Sequence, residues 1–196
     1  MIKTNINTIY PNQINKYRSS NTAIFIADYT EQTKNQSIKR GVEIFDTNPP
    51  NDITYFSLLN NPSLDIGYID FDNSSFIYSN GNPRSQCECV VFPNVSENNS
   101  WILFSELKYS STISYNEINL KKAIKQLFKT RYYYLQSNVI SNTNTSYLVA
   151  SLPLQTEPFL NFSLTPRYLI ELKRKRNIVL RLKNSAEIIN NKLISV

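Results

Sequence analysis

Short apolar runs separated by turn residues make up most of the chain, and one long amphipathic stretch interrupts them past its midpoint. Residues 22–29, reading Thr-Ala-Ile-Phe-Ile-Ala-Asp-Tyr, predict a buried strand. Residues 42–45 predict a second, ended by Asn48-Pro49-Pro50, which cannot continue regular structure. Between them the polar residues 30–40 read as a solvent-facing helix or a loop, with Gly41 as its C-cap. The Asn-rich residues 1–20 suit an irregular arm or a short first strand more than a helix. Residues 51–60 predict a short helix burying Ile53, Phe56, Leu58 and Leu59, stopped by Pro62.

From Leu64 the pattern changes to strands over 65–71, 75–79, 85–93 and 101–110, joined by polar turns as in an antiparallel meander. A helix follows over 114–136, with Ser114 and Glu117 spaced as a capping box. Leu120, Ile124, Leu127 and Leu135 lie close to one stripe of it, and Lys121, Lys122, Lys125 and Lys129 gather on another. The remainder predicts a strand over 146–152, a helix opened by Thr165-Pro166, a strand over 177–183 and a helix-like stretch over 186–193.

Composition narrows the chemistry. A length of 196 residues fits one domain with a sizeable core. No segment approaches the roughly 18 uninterrupted apolar residues of a membrane-spanning helix, and residues 1–10 lack the apolar core of a secretory signal, so cytoplasmic residence is the expectation. The chain has no histidine, which removes Ser-His-Asp and Cys-His hydrolases and nucleases with a histidine base. Three glycines allow neither a phosphate-binding loop nor a dinucleotide fingerprint. The two cysteines, Cys87 and Cys89, read as reduced thiols facing the core, too few for a zinc site. A net charge of +6 favours polyanionic partners.

Chemistry can then be assembled best on two neighbouring strands. Because strand side chains alternate, Glu106 and Lys108 project from one face of the second strand, and Glu88 can face them from the first. Two carboxylates there could hold a divalent metal with an ammonium beside them. The competing reading is a solvent-facing Glu-Lys pair on an edge strand, although Ile102 and Phe104 share that face. A second Glu-x-Lys, Glu171 to Lys173, runs into Arg174-Lys175-Arg176 and reads as surface charge. Tyr132, Tyr133 and Tyr134 suit either base stacking or core packing.

The order helix, three antiparallel strands, helix, strand over residues 51–152, with an acid on the second strand and Glu-x-Lys on the third, resembles the PD-(D/E)XK nuclease superfamily. That superfamily holds restriction enzymes, Holliday-junction resolvases and phage or repair exonucleases. The resemblance implies an α/β (α+β) fold with a restriction endonuclease-like core, a central mixed sheet carrying an antiparallel meander and flanked by helices. It implies a Mg²⁺- or Mn²⁺-dependent endonuclease acting on DNA, with RNA left open, in restriction or phage defence, and a homodimer where both strands of a duplex are cut.

Residue by residue, Glu88 matches the first acid, Glu106 the second and Lys108 the lysine, with the Leu107 carbonyl as a further metal ligand. Asp52, Asp70 or Asp72 would be an additional acid. Gln126 matches the Gln of the Gln-x-x-x-Tyr element of exonuclease-like members, but Thr130 stands where Tyr should be. Metal held by two carboxylates neutralises phosphate charge and lowers the pKa of bound water, while a lysine orients water or stabilises developing charge. Lys121, Lys122, Lys125 and Lys129 would grip the phosphate backbone. The alternative is a non-catalytic protein using the same basic surface to bind nucleic acid or a protein partner.

Overall fold

The computed structural model describes residues 1–196. In chain order it forms α1 (Ile2–Ile9), α2 (Pro11–Ile14), β1 (Arg18–Ser20), β2 (Ile24–Asp28), α3 (Thr30–Thr33), β3 (Val42–Phe45), β4 (Phe56–Leu59), β5 (Ile66–Asp70), β6 (Cys89–Pro93) and β7 (Ile102–Leu107). There follow α4 (Asn116–Gln136), β8 (Ser146–Ser151), α5 (Pro166–Arg176), β9 (Ile178–Leu182), β10 (Ser185–Asn190) and β11 (Leu193–Ser195).

The strands make two mixed sheets, ordered β1-β5-β6-β7-β8-β9 and β11-β10-β4-β2-β3. In the first, β5, β6 and β7 form an antiparallel meander. The chain then crosses through α4 to β8 and through α5 to β9, each strand parallel to the one before, as such connections require. Alternation along β7 divides the core in two. Ile102 and Phe104 face a cluster with Ile2, Ile6, Leu120, Leu127, Tyr134 and Leu172 of the helices. Leu103 and Leu107 face the second sheet, packing with Ile26, Phe56, Leu58 and Ile188. The layers are therefore helices, sheet, sheet, with β7 at the centre of the middle layer. No helix is long and apolar enough to cross a membrane.

The long helix, the meander strands 65–71, 85–93 and 101–110 in shortened form, and the strands at 22–29, 42–45, 146–152 and 177–183 are found where the pattern puts them. The helix opened by Thr165 is also present, its hydroxyl accepting the Tyr168 N–H at 3.3 Å.

Other expectations fail for identifiable reasons. Residues 1–20 do hold a short first strand, β1, but what precedes it is helix and no arm: α1 buries Ile2 and Ile6, one turn apart, and is held from a distance, the Ser96 hydroxyl accepting the Ile2 N–H at 2.8 Å. A short Asn-rich helix is not stable alone, so only tertiary contacts could reveal it. The helix expected over 51–60 is instead β4, where Phe56 and Leu58 are buried and Leu59 is exposed, a period of two between β2 and β10. The helix-like 186–193 is likewise strand, with Ala186 and Ile188 inward and β4 beside it.

Residues 75–79 form no strand, because Asp72 accepts the Ser74 N–H at 2.9 Å and Ser75 accepts that of Asp72 at 2.9 Å, which turns the chain after β5. A single bridge, Ile77 to Pro83, remains. The capping box is absent: a 3₁₀ turn (Ile113–Tyr115) leads into α4 without a side-chain cap, and Glu117 pairs with Lys121 instead. Gly41 caps no helix, since α3 ends at Thr33; its carbonyl accepts the Tyr29 N–H at 3.0 Å.

Truncating Ile6 to Ala tests the role of α1. Urea unfolding should show a loss of roughly 2–5 kcal/mol, as for any large core aliphatic, whereas an irregular arm would lose less than about 0.5 kcal/mol.

Candidate active site

Strand β6 breaks its own alternation just before it joins the meander. Cys89 and Val91 face the inter-sheet cluster, yet Cys87, two residues before Cys89, enters the helix-side cluster. The bend lies at Glu88. Three side chains of α4 explain it. Thr130 accepts the Cys87 N–H at 2.7 Å, Gln126 donates to the Gln86 carbonyl at 2.8 Å and Tyr133 donates to the Ser85 carbonyl at 3.2 Å. Their spacing of four and three residues puts them on one helix face. Backbone groups that would extend the β6 ladder are thus taken by the helix.

Glu88 is fixed by what remains of the ladder. Its N–H donates to the Ser105 carbonyl at 3.1 Å and its carbonyl accepts the Phe71 N–H at 2.7 Å. Its carboxylate oxygen Oε2 accepts the Leu107 N–H at 2.9 Å, completing β7 where a strand carbonyl is missing. Glu106 follows Phe104 on the helix-side face of an inner strand and is only 1% exposed. The solvent-facing edge-strand reading of Glu106 is thereby overturned. Lys108 donates to Glu106 Oε1, and its side chain is partly exposed.

Glu88, Glu106 and Lys108 line one cleft of about 570 Å³, together with Asp28, Asp70, Asp72, Lys16, Gln86 and Gln126. Burial pushes Glu106 up to about 7, against the pull of Lys108. Burial, and then the Glu106 charge, raise Glu88 well above the usual carboxylate range. Burial alone would lower Lys108, but the Glu106 and Glu88 charges outweigh it and keep the ammonium protonated. Cys87 and Cys89 are free and buried, and burial raises both thiols, so neither offers a thiolate at neutral pH.

Of the candidate extra acids, none is unengaged. Asp70 and Asp72 line the cleft but share Lys16, at 3.8 and 2.6 Å, and Asp70 also pairs with Arg18. Asp52 lies elsewhere, accepting from Tyr29 at 2.7 Å and facing Arg40. The acid that the sequence reading missed is Asp28, at the end of β2 in the second sheet, whose charge acts on Glu88, Glu106 and Lys108. Nothing in its local sequence marks it, because the approach of β2 to β7 is a tertiary event. Of the helix lysines, Lys122 is close enough to favour the Glu106 carboxylate, and Lys121 is paired with Glu117 at 2.5 Å. Lys125 is exposed and Lys129 half-buried.

Glu106 Oε2 is buried with no hydrogen-bond partner, as are Gln86 Oε1 and Gln126 Oε1. Unpaired buried acceptors cost about 1–3 kcal/mol each, so the cleft favours a cation or donors. All are oxygens, the donor chemistry of Mg²⁺ or Mn²⁺ and not of zinc. No three His, Cys, Asp or Glu side chains converge on a single metal position. The residues present fit an ion bound through one or two carboxylates and completed by water or substrate phosphate, the usual habit of Mg²⁺. No protein-family model, curated protein or solved structure matches the chain.

Raised carboxyl pKa values have a signed effect on stability. The contribution of protonated Glu106 is full below the ordinary value of 4.5 and is lost as pH rises through about 7. That difference is worth roughly 3 kcal/mol. The protein should therefore lose stability between those pH values, and Glu106→Gln should flatten part of the loss. Identical pH profiles for wild type and variant in denaturant titrations would remove Glu106 as the cause.

Proposed function

We propose that the chain is a Mg²⁺- or Mn²⁺-dependent nuclease that hydrolyses DNA phosphodiester bonds, with a core similar to that of the PD-(D/E)XK superfamily. The observation that carries this reading is the burial of Glu106, in contact with Lys108 and close to Glu88, at the cleft end of the inner strand β7. Two acids in a poorly solvated cleft with one ammonium are costly for folding, which is the signature of a site shaped for chemistry. The order β5, β6, β7, α4, β8 supports the reading, with α1 instead of residues 51–60 as the helix before the meander.

Each residue then has a task. Glu88 and Glu106 would hold the ion, with the Leu107 carbonyl beside them. The bound ion would supply neutralisation of phosphate charge and acidification of water. Lys108, held protonated, donates toward the attacking water or the charge developing on phosphate oxygen. Lys122, Lys125 and Lys129 hold the phosphate backbone, a contact that carries no sequence information. Deployment in restriction or phage defence follows from the superfamily's habits alone.

Plasmid and oligonucleotide cleavage tests the proposal. Wild-type protein with Mg²⁺ or Mn²⁺ should cut, chelation should stop it, and Glu106→Gln or Lys108→Ala should slow it on the order of 100-fold or more. Binding in a gel-shift assay should survive both substitutions and weaken with salt. Protein that cuts neither DNA nor RNA, or variants that cut like wild type, would leave only a non-catalytic binding role.

A further inference from the structure

Five buried polar side-chain atoms lack partners in the whole molecule, and three of them belong to residues lining the Glu106 cleft: Gln86 Oε1, Glu106 Oε2 and Gln126 Oε1. The two amides are not free to turn their nitrogens inward at no cost. Gln126 Nε2 donates to the Gln86 carbonyl at 2.8 Å, and Gln86 Nε2 donates to the Asp72 carbonyl at 2.6 Å. With both nitrogens committed to backbone carbonyls, each oxygen is left as an acceptor without a donor. Glu106 Oε2 is the third, its other oxygen being taken by Lys108.

The cleft thus brings together unpaired acceptors from the β6 approach, from β7 and from α4, three segments far apart in sequence. Its fixed cations leave these atoms unpaired: Lys16 is held by Asp70 and Asp72, and Lys108 is on Oε1 of Glu106. Amide carbonyl oxygens are ordinary ligands of hard divalent cations, adding coordination without further charge. They also suit the absence of a third converging acid.

We infer that the Gln86 and Gln126 side-chain oxygens join Glu106 in the shell of the divalent cation, directly or through its water. The inference rests on the proposed function only for the presence of that cation; it extends the ligand set to two neutral residues outside the Glu-x-Lys motif. It also gives Gln126 two roles, since the same amide that presents its oxygen to the ion ties α4 to the segment that carries Glu88.

Mn²⁺ alone, without nucleic acid, is the probe. Calorimetric titration and the loss of free-Mn²⁺ electron paramagnetic resonance signal should show one site in wild type. Gln126→Leu and Gln86→Leu should each weaken it about tenfold, and Gln126→Glu, which keeps an oxygen and adds charge, should tighten it. Circular dichroism and metal-free unfolding of each variant separate loss of a ligand from loss of fold, and Gln126→Glu reports even where the Leu variant unfolds. Wild type that binds no Mn²⁺ at millimolar concentration, or folded Gln variants that bind like wild type, would overturn the assignment. Wild type that binds Mn²⁺ with Gln-dependent affinity yet cuts no nucleic acid would uphold it and sink the nuclease reading.

Discussion

The grip of α4 on the backbone at Ser85, Gln86 and Cys87 is the constraint on which the site depends. Hydrogen bonds from Gln126, Thr130 and Tyr133 draw this segment away from the sheet toward the helix. Had the β6 ladder continued, Cys87 would lie on the inter-sheet side with Cys89, and β7 would be capped by a main-chain carbonyl. Instead the ladder stops one residue early, and a carboxylate completes it. The Glu88 side chain is therefore structural and acidic at once, which is why it tolerates burial.

The same helix ties the site to the core. Leu120, Ala123 and Leu127 pack on the helix-side face of β7 and β8, while Gln126 of the adjoining face lines the cleft and the charge of Lys122 acts on Glu106. A crossover connection between parallel strands places the helix over the sheet in any case. Here it also sets the height of the cleft's wall above Glu106. The second sheet closes the opposite side through Asp28, whose carboxylate also accepts the Thr30 N–H at 2.9 Å. Burial of Glu106 is thus the joint product of three layers, and its raised pKa is a property of the assembly rather than of the strand.

How far the sequence could be read follows from which interactions are local. The Glu106 and Lys108 face, the β5-β6-β7 meander and the Leu120 and Leu127 part of the α4 stripe follow from periodicity, whereas Ile124 and Leu135 are only partly buried and Ala123 and Tyr134 fill the core in their place. The helix α1 and the strands at 51–60 and 186–193 escape the pattern because their structure is set by partners elsewhere: Ser96 for α1, and β2, β10 and β4 for the strands. Short apolar runs such as Phe-Ser-Leu-Leu fit either period, so pairing decides. Within the site, the role of Thr130 was hidden because the family pattern asks for Tyr there. A threonine one helical turn from Gln126 nevertheless reaches the Cys87 N–H. Asp28 had no signal at all, since only the packing of two sheets brings it to the cleft.

The switch of faces between Cys87 and Cys89 acts as one extra residue in the strand, so the site depends on chain length as well as on side-chain identity. Removing one residue at the bend would let ordinary alternation run from Cys89 to Cys87 with Cys87 still in the helix-side core, and the bend at Glu88 would be gone. With the bend would go the Glu88 carboxylate that completes β7 at the Leu107 N–H. Ser85, by contrast, is exposed and held through its main-chain carbonyl, so a change of side chain there leaves the grip of α4 intact where a change of length does not.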